Sequence, residues 1–130
     1  MTGGCKCRLG GREYWLVYTA DAYFDIQGAY GADFLEKLRP GTRDAYEVAV
    51  GCLLILAREG ELCRRYMGYT AAEMLTEEDV RRCMLPDSIV KVKTLVNEAV
   101  LAGLRVENAK VSDEPVDLGL LEYEKKTVLD

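Results

Sequence analysis

No histidine occurs among the 130 residues. That absence removes the commonest general base, the commonest metal ligand and every Ser/His or Cys/His nucleophile pair. Basic charge is not in excess either: Lys and Arg total 17 against 22 Asp and Glu, a net charge of −5. The phosphate attraction that dominates nucleic-acid binding is therefore missing at the level of the chain, and no basic block replaces it. Long apolar runs are absent too. The most apolar stretch, Val48 to Ala57, spans ten residues, half of the ~20 that a bilayer requires, and no signal peptide is evident. The five cysteines are odd in number and lack a repeated spacing, which reads as reduced thiols of a cytoplasmic protein rather than a disulfide framework. Cys5-Lys6-Cys7 lacks the second pair that a zinc site would need, so two small apolar residues on a buried strand face are expected there. No cofactor and no catalytic residue are assigned.

What is present is a helix. From Asp44 to Met67 the pattern is helical, and Glu47, Gly51 and Arg58 fall within roughly 40° on the wheel. Only that thin stripe can meet water, so the rest of the chain must wrap this element. Gly51 costs about 1 kcal/mol relative to alanine in a helix interior, which predicts a close crossing at that position. Truncating Leu53, Leu54 or Leu56 to alanine is expected to cost roughly 2 to 5 kcal/mol.

The flanking chain supplies smaller parts. Cys5 to Tyr18 predicts a hairpin turned at Gly10-Gly11. A two-residue loop sets Leu9 opposite Arg12, Arg8 opposite Glu13, Cys7 opposite Tyr14, Lys6 opposite Trp15 and Cys5 opposite Leu16, with Lys6 over the Trp15 ring. Thr19 to Leu38 reads as two short helices, or one kinked, broken at Gly31; Asp21, Asp25, Asp33 and Glu36 form their solvated face. Arg39 to Thr42 is a loop, and Thr42 caps the long helix. Thr70-Ala-Ala-Glu73 has the form of a capping box and predicts a short helix to Leu75; Thr76-Glu-Glu-Asp79 opens another through Met84. Pro86 sits at the first turn of a last helix, whose buried set is Ile89, Val92, Val96, Ala99 and Val100, with Lys91, Lys93 and Glu98 outward, ending at Gly103. The expectation is a mainly α fold, a small helical domain over residues 1–104 with an N-terminal β-hairpin packed on a long central apolar helix. Residues 105–130 read as a mobile C-terminal tail. Its apolar cluster, Leu118, Leu120, Leu121 and Tyr123, is the candidate partner-binding site.

The opening Gly11-Arg-Glu-Tyr-Trp-Leu-Val-Tyr-Thr19, the Ala-Tyr-Gly of Ala29 to Gly31, the long apolar helix, and Pro86 opening a final helix that ends in Ala102-Gly103 occur in that order. Over residues 9–104 this order resembles the tail assembly chaperones of long-tailed bacteriophages and prophages. The resemblance implies a non-catalytic protein of the bacterial host cytoplasm that binds the tape measure protein and helps bring tail tube subunits to it. It also implies a longer form made by ribosomal frameshifting, for which Lys125-Lys126 is the candidate position. It carries no individual functional residue across, and self-association is left open. Two other classes stand beside it. One is another helical scaffold or adaptor. The other is a thiol or metal enzyme built on Cys5, Cys7, Cys52, Cys63 and Cys83, of which only Cys63 and Cys83 have neighbouring arginines. A helical DNA-binding regulator would need a basic recognition helix that the short, acid-mixed pieces around Arg64-Arg65 and Arg81-Arg82 do not supply.

Overall fold

Two consecutive glycines with φ of 58° and 79° turn the chain at Gly10-Gly11, a conformation that side chains resist and that matches the twist of the strands it joins. The computed structural model, which describes residues 4–109, pairs β1 (Gly4–Leu9) antiparallel with β2 (Arg12–Val17) in the register expected from the turn, from Leu9 opposite Arg12 to Gly4 opposite Val17. Five helices follow among the described residues: α1 (Ala20–Tyr30), α2 (Phe34–Lys37), α3 (Arg43–Tyr66), α4 (Glu77–Cys83) and α5 (Ser88–Ala109). The protein is mainly helical, with the hairpin against α3 and α5.

Helix starts follow the side-chain caps. Thr19, Thr42 and Thr76 each accept a hydrogen bond at 3.1 Å from the backbone N–H three residues on, opening α1, α3 and α4. Gly31, with φ of 91°, ends α1, so the break between the two short helices lies where expected. Pro86 does not begin α5. It lies in a turn closed by Ser88 N–H to the Leu85 carbonyl, and the Leu85 N–H donates back to the Ser88 hydroxyl, so the helix opens at Ser88. Helix α5 also continues through Ala109, past Gly103. The tail cluster Leu118, Leu120, Leu121 and Tyr123 lies outside the described residues.

The core is α3 and what covers it. Ala45, Val48, Ala49, Val50, Cys52, Leu53, Leu56 and Ala57 are all buried, while Leu54 is only half-buried and joins the stripe that sees water. The cost of truncating Leu54 therefore falls below that for Leu53 or Leu56. The apolar set of α5, Ile89, Val92, Val96, Ala99 and Val100, is buried as its period requires, and Lys91, Lys93 and Glu98 face out. The hairpin turns Leu16 inward, with Cys5, Cys7, Leu9 and Tyr14 packed partly against the core. Val17, on the opposite face, is also buried at 2% exposure, because the end of β2 is covered from both sides.

Glycines mark the crossings. A Cβ on Gly51 would collide with the Tyr30 ring, which confirms the close approach expected there. A second crossing is at Gly60, where a Cβ would strike the Trp15 carbonyl, so α3 receives the backbone of β2 itself. At Gly103, α5 passes 3.1 Å from the Tyr18 carbonyl on the same measure.

The segment from Thr70 to Leu75 is a correction. It forms no helix, despite its capping-box sequence. The Ala72 N–H, one of the donors that a first helical turn would leave free, goes instead to the buried carboxylate of Glu61 at 2.7 Å, and Glu73 reaches Arg12 at 3.4 Å. A tertiary bond to a charged acceptor outweighs a local cap between exposed residues.

Candidate functional site

The C-terminal half of α3 carries two carboxylates where the apolar pattern would place core residues. Glu59 is 6% exposed and Glu61 is 8% exposed. A buried charge is tolerated only when its oxygens are satisfied, and both are. Glu59 accepts from the Thr19 hydroxyl at 2.7 Å and from Arg58 Nε at 3.0 Å, and the same guanidinium holds Asp25 at 2.6 Å. This fixes the start of α1 against α3. Glu61 accepts from Arg64 at 2.7 Å, Arg65 at 2.9 Å and the Ala72 N–H; those two arginines also donate to the carbonyls of Thr70 and Ala72. Burial opposes the Glu61 charge, but the bonds from Ala72, Arg65 and Arg64 outweigh it, and its carboxyl titrates below the usual 4.5.

Each carboxylate presents an aromatic surface. The Arg64 guanidinium lies 5.4 Å from the centroids of both Trp15 and Tyr69, whose rings meet edge to face at 5.5 Å. The cation expected over Trp15 was Lys6; Arg64 occupies that place, and Lys6 lies 3.9 Å from Glu13, which Arg8 also pairs at 3.5 Å. Elsewhere on the circumference of α3, Leu62 and Tyr66, about one turn apart, are 43% and 68% exposed. At the start of α1, Tyr18, Tyr23 and Phe24 form a ladder of edge-to-face rings, and Phe24 is 68% exposed. Large apolar side chains left exposed on elements that hydrogen bonds to Glu59 and Glu61 tie down are surfaces suited to contact.

At the other end of α3 an open cleft of about 460 Å3 is lined by Arg43, Tyr46, Met84, Leu85, Pro86 and Ile89 among others. The Tyr46 ring is flanked by the guanidiniums of Arg43 and Arg81 at 5.7 and 5.4 Å, and Arg81 grips Glu47 with bonds of 2.7 and 3.1 Å. Those bonds hold the Glu47 carboxyl below its ordinary range. The charges here are spent on one another.

Four of the five thiols are held back by burial. Burial pushes Cys5, Cys7 and Cys63 up to about 11 and Cys52 to about 12, with Glu98 and Cys7 adding to the rise at Cys5 and Glu59 to that at Cys63. A nucleophilic cysteine requires the opposite shift. Arg64, next to Cys63 in sequence, turns to Glu61 and the aromatic rings instead. Cys83 is exposed, beside the hairpin turn at Gly10. No group of three or more metal-ligating side chains converges among the described residues. Asp21, Asp25, Asp33 and Glu36 are all exposed on the helix faces expected for them.

Sequence reasoning missed Glu59, Glu61 and the surfaces they hold. The one available signal was that acids at positions 59 and 61 interrupt a helix whose buried face had not yet ended. No helix among the described residues is long and apolar enough to cross a membrane. Comparison with protein-family models, with curated proteins and with solved structures finds no match.

Proposed function

We propose that this chain is a non-catalytic tail assembly chaperone of the phage or prophage kind, which holds an apolar helical stretch of the tape measure protein in the host cytoplasm and helps bring tail tube subunits to it. The observation that carries the reading is the set of outward Leu62, Tyr66, Tyr69 and Phe24 side chains on backbone anchored by Glu59 and Glu61. Aromatic anchors on rigid elements lose little conformational entropy when they bind, which is what a holder of apolar chain needs. Leu118, Leu120, Leu121 and Tyr123 add further apolar contact to the same partner from the C-terminal segment.

The test is co-expression with a tape measure protein, reading the soluble fraction and co-purification. The wild type is expected to raise both, and the pair Phe24→Asp and Tyr66→Asp to abolish the effect while leaving the circular dichroism of the domain unchanged. Removal of residues 110–130 should weaken co-purification and leave thermal stability nearly unaltered. A wild-type chain that changes neither solubility nor recovery of the partner defeats the proposal.

A further inference from the structure

We infer that α5 pairs with α5 of a second copy of this chain, side by side and in the same direction, through the face it turns away from its own core. The buried face of α5 is Ile89, Val92, Val96, Ala99 and Val100. On the outward side a second series, Val90, Thr94, Asn97, Leu101 and Leu104, recurs at steps of four, three, four and three, the spacing of a coiled-coil seam. All five are exposed, Val90 at 52% and Leu101 and Leu104 at 47% each. A surface helix that only covers a core has no need of this second stripe. The Thr94 hydroxyl already donates to the Val90 carbonyl at 3.2 Å, so its methyl remains for a neighbour. Asn97, at the middle of the seam, faces its own counterpart in a parallel pair, where the two side-chain amides can hydrogen-bond to each other.

Charge selects the occupant and the direction. In a parallel pair the residue before one seam position faces the residue five further on in the other helix. For this seam that sets Lys93 against Glu98 of the second copy, twice by symmetry. Both are exposed, and neither forms an ion pair among the described residues. An antiparallel pair would instead bring the two Lys93 side chains together at the register that matches Val90 with Leu101. Two heptads are too few to hold isolated peptides as helices, but this helix is already formed by its domain, so the ordering cost that defeats short peptides does not arise.

The test uses the full chain alone, so its result is independent of any tape measure partner. Sedimentation equilibrium is expected to show a dimer with a micromolar Kd that weakens as salt is raised, and Leu101→Asp is expected to leave only monomer. Lys93→Glu or Glu98→Lys alone should weaken the dimer about tenfold, and the two together should restore it to within about threefold. Because these positions are exposed, circular dichroism should match the wild type throughout, and thermal melting should match it at concentrations below the dimer Kd, where association adds no stability. In a Cys83→Ser background, Asn97→Cys should crosslink two copies under mild oxidation, since facing seam positions lie within disulfide reach. A wild type that stays monomeric overturns the inference, as does a dimer indifferent to Leu101→Asp. So does a double reversal that fails to rescue, or position 97 failing to crosslink, either of which would indicate an antiparallel pair.

Discussion

Three helical glycines differ in what stands over them, and that difference sets the sign of an alanine substitution at each. Gly28 faces open space, so Gly28→Ala should stabilise by about 1 kcal/mol through helix propensity alone. Gly51 meets the far end of the Tyr30 side chain, which can swing aside, so the same gain should be offset and the net change lie near zero. Gly60 meets the Trp15 main chain, which cannot move without shifting β2, and Gly60→Ala should cost on the order of 1 to 3 kcal/mol. Urea unfolding of the three variants reads the order directly. Glu61 gives a prediction in pH. Its folded-state pKa is depressed, so its stabilising effect is full above the unfolded value near 4.5 and is lost as pH falls through the folded value. Between neutral pH and pH 3 the wild type should therefore lose more stability than Glu61→Gln, which starts lower and has no charge there to titrate. Of these residues Gly51 was legible in the sequence, because a bare position in an apolar helix announces a crossing. Gly60 was not, since the charged Arg58, Glu59 and Glu61 around it in the helix give no sign of the Trp15 carbonyl above it.

Among the elements, local signals were reliable where no distant group competed. The hairpin register followed from two glycines and a two-residue loop, and Thr19, Thr42 and Thr76 cap as their sequences suggest. Thr70 has the same form and caps nothing, because Glu61, eleven positions earlier than Ala72, takes the donor a new helix would have used. The two outcomes predict a contrast. Thr42→Ala should cost about 1 kcal/mol, the usual worth of an N-cap, whereas Thr70→Ala should fall within about 0.5 kcal/mol of wild type, as measured by thermal melting. The aromatic surfaces were hidden for the same reason. Tyr66, Tyr69, Trp15 and Phe24 are separated in sequence, and which of them stand outward depends on how α1, α3 and β2 pack together.

For the molecule as a whole, the reactivity of the thiols is the measurement that would separate a scaffold from a thiol enzyme. Titration with an aromatic disulfide reagent should modify Cys83 quickly in the native protein and the other four only slowly, with all five reacting together in denaturant. Rapid modification of Cys63 in the native state would argue for a functional thiol at the end of α3. The overall architecture was accessible from sequence because one apolar helix dominates it. The placement of the hairpin between α3 and α5 was less so, since the strand face is apolar whichever helix covers it. That placement has a consequence during synthesis. The Cys5 thiol donates to the Leu95 carbonyl at 3.5 Å, and β1 packs on α5 while β2 packs on α3, so among the described residues the first strand finds its cover in the last helix. At about 5 to 20 residues per second, translation from Leu9 to Ala109 takes roughly 5 to 20 s. Throughout that interval β1 is without the helix that covers it in the finished fold, even after α3 has been made to cover β2, so the ribosome-bound chain exposes apolar surface that the finished protein buries.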